Sequence, residues 1–363
     1  MKNEMSTKVR YGALLTGLWL LGCGPSAPPA EVPPPAPKEQ ATVEPAPSAP
    51  AAVAEAPKPT PEQLKAEEDR ARLVADREKA RQEASEEERR LTPEIHQKAK
   101  ALADQSYWSL KPALLAAMAS DHRNPKSRPR DAARHPVETL TFLGVAPNST
   151  VLEHGPGEGW YTELLAPVLY KRGQLLATTT DPAGPPEQRS TFYAERFQWF
   201  LNRLPEVYGN IQSVVFDPAS PKLKVDKKVD VVLVFRGMHG MVRDGSLATW
   251  LAEFRSVLKV GGILGVEQHR AYPDADPKTS AATGYLPEPW LIQQIEAAGF
   301  KLKEKSEINA NAKDTKDYPK GVWTLPPNFA LGDQDREKYA AIGESDRMTL
   351  RFVKVVEPST MAW

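Results

Sequence analysis

From residue 92 onward, short runs of apolar and β-branched residues alternate with longer stretches whose apolar side chains recur at helical spacing. The short runs cover 149–154, 175–180, 211–216, 229–235, 262–267, 301–307 and 348–355, which predicts seven strands. Helical patterns cover 93–120, where Ile95, Leu102, Leu110, Leu114, Leu115 and Met118 form the apolar set. Further helical patterns cover 136–143, 160–170, 186–204, 247–258 and 288–298. Thr92-Pro93 offers a capping hydroxyl followed by proline at the first helical position, so a helix is expected to start there. Strand–helix alternation at this spacing predicts an α/β fold of βαβ units, with a mostly parallel sheet. In such a sheet the ligand lies beyond the carboxyl ends of the strands. Residues just after each strand are therefore the ones to read for chemistry.

Upstream of residue 92 the patterns are different. Residues 61–91 mix charges of both signs (Glu67-Glu68-Asp69-Arg70, Asp76-Arg77-Glu78-Lys79, Glu86-Glu87-Glu88-Arg89-Arg90) and hold few large apolar side chains, among them Leu64, Leu73 and Val74. Many i,i+4 ion pairs are available, each contributing about 0.2–0.5 kcal/mol. A helix that is polar all round reads as a solvated spacer, and no sustained heptad stripe supports a coiled coil. Residues 23–60 are rich in proline and alanine; 13 of the 35 prolines lie between Pro25 and Pro61. Such a stretch cannot offset its ordering entropy by apolar burial and is expected to be a disordered tether. At ~3.1 Å per residue in polyproline II it would reach on the order of 100 Å. Residues 1–22 place Lys2, Lys8 and Arg10 before an uncharged run at 11–21, the layout of a signal peptide. That run is shorter than the ~20 residues needed to span a bilayer. Its end, Leu20-Leu21-Gly22-Cys23, resembles the lipobox of bacterial lipoproteins. The resemblance implies lipidation of Cys23, a membrane anchor there, and a place in the bacterial cell envelope. Gly24, rather than Asp, after the cysteine resembles lipoproteins sent to an outer membrane, which implies a place there facing the periplasm or the surface.

Charge and cysteine content narrow the classes. Lys and Arg (47) cancel Asp and Glu (47), so nothing supports a nucleic-acid binder held by phosphate neutralisation. A single cysteine excludes an intrachain disulfide and a multi-cysteine zinc site, and no metal site is expected.

The first strand end carries the main chemical signal. Val151-Leu152-Glu153-His154-Gly155-Pro156-Gly157-Glu158-Gly159-Trp160 lies between a predicted strand and a predicted helix. Gly155, Gly157 and Gly159 permit a tight turn and close backbone approach to a ligand, and the helix start offers free N–H groups. A dinucleotide fingerprint would need glycine at position 160, where Trp160 stands, so an NAD-dependent oxidoreductase is disfavoured. The E-x-G-x-G-x-G spacing instead resembles motif I of the class I S-adenosylmethionine (SAM)-dependent methyltransferases. Asp181 follows the second predicted strand, 22 residues after Gly159, where an acid can accept from ribose hydroxyls. Asp217 follows the third, where the resembled family commonly has an acid near the adenine amino group. Each aspartate also suits an ordinary strand-end turn.

Residues 130–357 resemble a narrower group of predicted methyltransferases. Its marks are Arg130-Asp131-Ala132-Ala133-Arg134-His135-Pro136 before motif I, His239 after the fourth strand and His269 after the fifth. Glu296-Ala297-Ala298-Gly299-Phe300 before the sixth strand and Ser345-Asp346-Arg347 before the seventh complete them. The resemblance implies a seven-stranded, mostly parallel Rossmann-like methyltransferase sheet with helices on both faces. It also implies SAM as cofactor, with Glu153, Gly155, Gly157, Gly159, Asp181 and Asp217 as cofactor-binding candidates. A histidine near neutral pKa can take a proton from an attacking nucleophile, so His239 and His269 are the catalytic candidates. A 39-residue insertion, 309–347, carries Tyr318, Trp323 and Phe329 among prolines and reads as a lid or substrate wall, or as a packed insertion.

The expected organisation is a signal peptide at 1–22, a tether at 23–60, a charged helical spacer at 61–91 and a methyltransferase-like domain at 92–363, of which 92–143 is a helical lead-in. Exported lipoproteins and a cytoplasmic cofactor sit awkwardly together. Two classes therefore stand: a lipid-anchored methyltransferase acting on an unidentified methyl acceptor, and a non-catalytic envelope lipoprotein that reuses the fold for binding or structure.

Overall fold

The computed structural model describes residues 60–356; the expected signal peptide, Cys23 and all but the last residue of the tether lie outside the described residues. The spacer region is α1 (Pro61–Arg90), and the lead-in comprises α2 (Pro93–Ala103), α3 (Leu110–Ala119), α4 (Asp131–Arg134) and α5 (Pro136–Phe142). There follow β1 (Thr150–His154), α6 (Thr162–Leu169), β2 (Gln174–Thr179), α7 (Arg189–Asn202), α8 (Pro205–Tyr208), β3 (Gln212–Val215) and β4 (Val229–Phe235). The last part holds α9 (Met238–Arg243), α10 (Leu247–Val257), β5 (Leu258–His269), α11 (Pro277–Ala282), α12 (Glu288–Ala297), β6 (Phe300–Ser306), α13 (Arg336–Ile342) and β7 (Arg347–Lys354).

All seven expected strands form one sheet in the order β3-β2-β1-β4-β5-β7-β6. The first five are parallel, and β7 runs antiparallel to both neighbours. Side chains alternate between two apolar layers, as a two-residue period requires. Val151, Leu175, Ala177, Val231 and Leu233 pack with α3, α5 and α6. Leu152, Leu176, Val232 and Val234 pack with α10 and α12 on the other face. This alternation sends Glu153 and His154, adjacent in sequence, to opposite faces. Glu153 accepts a hydrogen bond from Thr162 Oγ1 of α6 at 2.7 Å. The His154 ring lies 4.3 Å from Trp250 and 5.1 Å from Phe254 of α10, centroid to centroid.

Two expectations need amendment. The pattern at 93–120 is two helices rather than one, broken at Asp104–Ser109. Residues 61–91 are helical, but α1 is not a free spacer. Leu73 and Ala80 are buried against Phe192, with Trp199 packed on the same cluster. Arg77 Nε donates to Glu195 at 2.9 Å and Arg189 Nη1 to Asp76 at 2.8 Å, so α1 docks along α7. Thr92 caps α2 as expected, its hydroxyl accepting from Ile95 N. No helix among the described residues is long and apolar enough to cross a membrane.

Candidate functional site

The carboxyl ends of β1, β4 and β5 open onto a cavity of about 400 Å³. The turn after β1 forms one wall. Gly155, Gly157 and Gly159 all have positive φ (62°, 60° and 80°), the left-handed region that disfavours other residues. Their surroundings differ. A Cβ added at Gly155 or Gly157 would meet nothing within 4 Å, so the backbone faces open space there. A Cβ at Gly159 would fall 2.4 Å from the Phe200 ring, so this glycine permits helix packing rather than ligand approach. Glu153 lines the cavity and is 2% exposed. Burial pushes its pKa up to about 7, against the opposing pull of the Thr162 hydrogen bond and of Arg236.

The histidines expected after β4 and β5 both line the cavity, their ring centroids 6.0 Å apart. Gln268 organises His239. Its Oε1 accepts from Met238 N at 3.1 Å, and its Nε2 lies 3.4 Å from His239 Nδ1. The amide nitrogen is therefore the donor and His239 Nδ1 the acceptor, which leaves the ring proton on Nε2. His269 Nδ1 lies 2.6 Å from Ser345 Oγ. Burial lowers the His239 pKa to about 4; burial and then the neighbouring His239 hold His269 well below its ordinary value. Both rings are neutral at pH 7.

Asp181 and Asp217 stand at the ends of β2 and β3 but do not line the cavity. Asp181 Oδ1 accepts from Ala183 N at 2.8 Å, and Asp217 Oδ1 accepts from Ala219 N at 2.9 Å. Each is an exposed carboxylate that caps its own turn.

The sequence marks Arg130, Arg134 and Arg347 as motif residues, but no arginine was expected in the site. Arg130, Arg134 and Arg236 line the cavity, and Arg347 lies behind them. Arg134 Nε donates to both Glu344 oxygens, at 3.1 and 3.0 Å, and Arg130 Nε lies 3.6 Å from Oε1 of the same carboxylate. Arg347 Nη1 donates to Glu344 at 2.6 Å and lies 3.3 Å from Glu267. Arg236, held at φ 56°, donates from Nη1 to Glu267 at 2.9 Å. Burial would raise the Glu267 pKa, but Arg236 and then Arg347 hold it down at about 2. Tyr161, stacked on Phe235 at 3.6 Å, donates to the other Glu267 oxygen. A signal for two of these residues was available: Arg130 and Arg134 are spaced i,i+4 and so share one face of a helical turn.

The insertion supplies the remaining wall through Val322, Trp323, Pro326 and Pro327. It is tied down by buried polar contacts. Tyr285 donates to Asp314 at 3.1 Å, and Asn309 Nδ2 donates to Thr139 and Thr349 at 3.0 Å each. It is thus a packed wall of the cavity. Among the described residues no group of three His, Cys, Asp or Glu side chains could hold a metal ion.

No protein-family model and no curated protein matches the chain. Among solved structures it is similar to a SAM-dependent methyltransferase from Aquifex aeolicus, with 16% identity over 64% of this chain and 94% of that one and a TM-score of 0.42. The [4+2]-cyclase SpnF gives 19% identity over 68% and 93%, with a TM-score of 0.42. The glycopeptide N-methyltransferase MtfA complexed with SAM gives 14% over 62% and 87%, with a TM-score of 0.39. The strand order and directions found above are those of a seven-stranded, mostly parallel α/β sheet.

Proposed function

We propose that the chain binds SAM at the glycine turn after β1 and transfers its methyl group to an acceptor held in the adjoining cavity. The observation that carries this reading is the open approach at Gly155 and Gly157, next to two neutral histidines in one cavity. The residues present fit the cofactor. The glycine backbone is accessible, Glu153 has a carboxylate oxygen not engaged by Thr162, and Asp181 and Asp217 are exposed with one oxygen each outside their turns. These residues would hold it, and the cofactor would supply an already activated methyl group.

The protein's own task is then to orient the acceptor and remove its proton. His239, protonated on Nε2, is a hydrogen-bond donor toward the acceptor. His269 is the base, its ring fixed by Ser345 and kept neutral by burial. Trp323 and the prolines of the insertion exclude water. We further propose that Cys23 anchors the protein to the cell envelope.

The second reading, a binding protein that keeps the fold, is favoured by one observation: Asp181 and Asp217 lie outside the cavity. Calorimetric titration of the full-length chain separates the two. Micromolar binding of SAM and of its demethylated product supports methyl transfer. A folded sample that binds neither at millimolar concentration would refute it.

A further inference from the structure

The cavity is charged in an unusual way. Four guanidiniums, those of Arg130, Arg134, Arg236 and Arg347, share two carboxylates, Glu267 and Glu344. Glu158, the exposed acid at the cavity rim, is already paired with Arg196. Glu153 is the one other acid in the lining, and burial holds its pKa at about 7. A buried cluster that leaves cations uncompensated is costly unless something completes it.

Arg134 marks where the completing group would sit. Its side chain is 3% exposed, its Nε is taken by Glu344, and its Nη1 is buried with no partner. The guanidinium lies over the Trp160 ring, 4.8 Å from its centroid, which fixes its plane. Burial first, and then the charge of Arg236, pull its pKa down to about 9. Arg130 stands one helical turn before it and also lines the cavity. A planar guanidinium with an unpartnered N–H group suits recognition of an oxyanion.

We propose that the methyl acceptor is a small organic anion whose oxyanion group, a carboxylate or phosphate, is held by Arg130, Arg134 and Arg236. That group docks on the guanidiniums, and the nucleophile lies toward His269. The word acceptor rests on the methyl-transfer reading; the anion site itself does not. An oxyanion at this place has two sources, the acceptor or the cofactor's own carboxylate, and the test separates them.

The full-length chain is titrated with inorganic phosphate at constant ionic strength, alone and then saturated with SAM. SAM affinity is measured separately. The expected result is saturable phosphate binding in the ~millimolar range that persists when SAM is bound. Arg130→Gln and Arg134→Gln should each weaken it ~10-fold or more. Lys259→Gln, at the opposite end of the strands, should leave it unchanged. Arg130 is the safer variant, because its side chain is 23% exposed and its substitution disturbs the fold least. Phosphate binding without SAM binding would support the anion site and refute methyl transfer. Three results would overturn the proposal: no phosphate binding by folded protein, binding that Arg130→Gln leaves intact, or competition between phosphate and SAM. Competition would assign the arginines to the cofactor's carboxylate.

Discussion

Two buried ion networks lie side by side in this protein, and they are built differently. In the first, Arg123 makes a two-pronged pair with Asp131 at 2.6 and 2.9 Å and approaches Glu163 at 3.6 Å. Arg203 donates to Glu163 at 2.7 Å, so two cations meet two carboxylates. In the second, four arginines meet Glu267 and Glu344. The two networks share one stretch of sequence. Arg130 and Arg134 belong to the second and Asp131, between them, to the first; at 3.6 residues per turn, neighbours point in different directions. The balanced network fastens the lead-in to α6 and α7. The unbalanced one lines the cavity. The difference teaches that the network that only fastens elements is balanced, whereas the one at the cavity carries surplus cations, the basis of the proposed anion site.

The largest effect should come from the balanced network. Glu163→Gln leaves Arg123 and Arg203 short of a carboxylate and should cost ~3–5 kcal/mol in urea unfolding. Arg130→Gln removes a surplus cation from the other network and should cost less than ~1 kcal/mol. Equal losses for the two variants would erase the distinction.

A similar contrast holds within the glycine turn. Gly159→Ala drives a methyl group into the Phe200 ring at a φ of 80° and should cost ~2–3 kcal/mol, combining overpacking with left-handed strain. Gly157→Ala bears only the backbone strain, ~1–2 kcal/mol, because its Cβ meets open space. Thermal unfolding of both variants would show whether one glycine serves packing and the other access.

The third effect is read as a pH slope rather than as a single loss. The folded pKa of Glu153, about 7, lies above its unfolded value. Its contribution is therefore fully present below about pH 4.5 and is lost as pH rises through 7. Against Glu153→Gln, the wild-type chain should lose on the order of 2–3 kcal/mol across that window. Parallel stability curves for the two proteins would mean that Glu153 is more solvated than its position indicates.

Much of the fold was legible in the sequence because each strand is a compact apolar run with a turn at its end. The carboxyl-end rule then placed Glu153, Gly155, Gly157, His239 and His269 around one cavity. What was not legible depends on long-range partners. α1 carries a single large buried apolar residue, Leu73, and its partner Phe192 lies far along the chain. Arg134 and Glu344 are 210 residues apart, so no local pattern announces their pairing. Asp181 and Asp217 illustrate a different limit. A strand-end aspartate has the same sequence signature whether it caps a turn or binds a ribose, and here each caps its turn with one oxygen and leaves the other exposed.

On the proposed function, the open side of the glycine turn receives the methyl donor. Titrating SAM into wild-type protein and into Gly157→Arg, with folding checked by circular dichroism, tests it most directly. The wild type should bind at micromolar concentration and the variant not at all, because its side chain would fill the space that Gly157 leaves open. Equal binding by a folded Gly157→Arg, or none by the wild type, would contradict it.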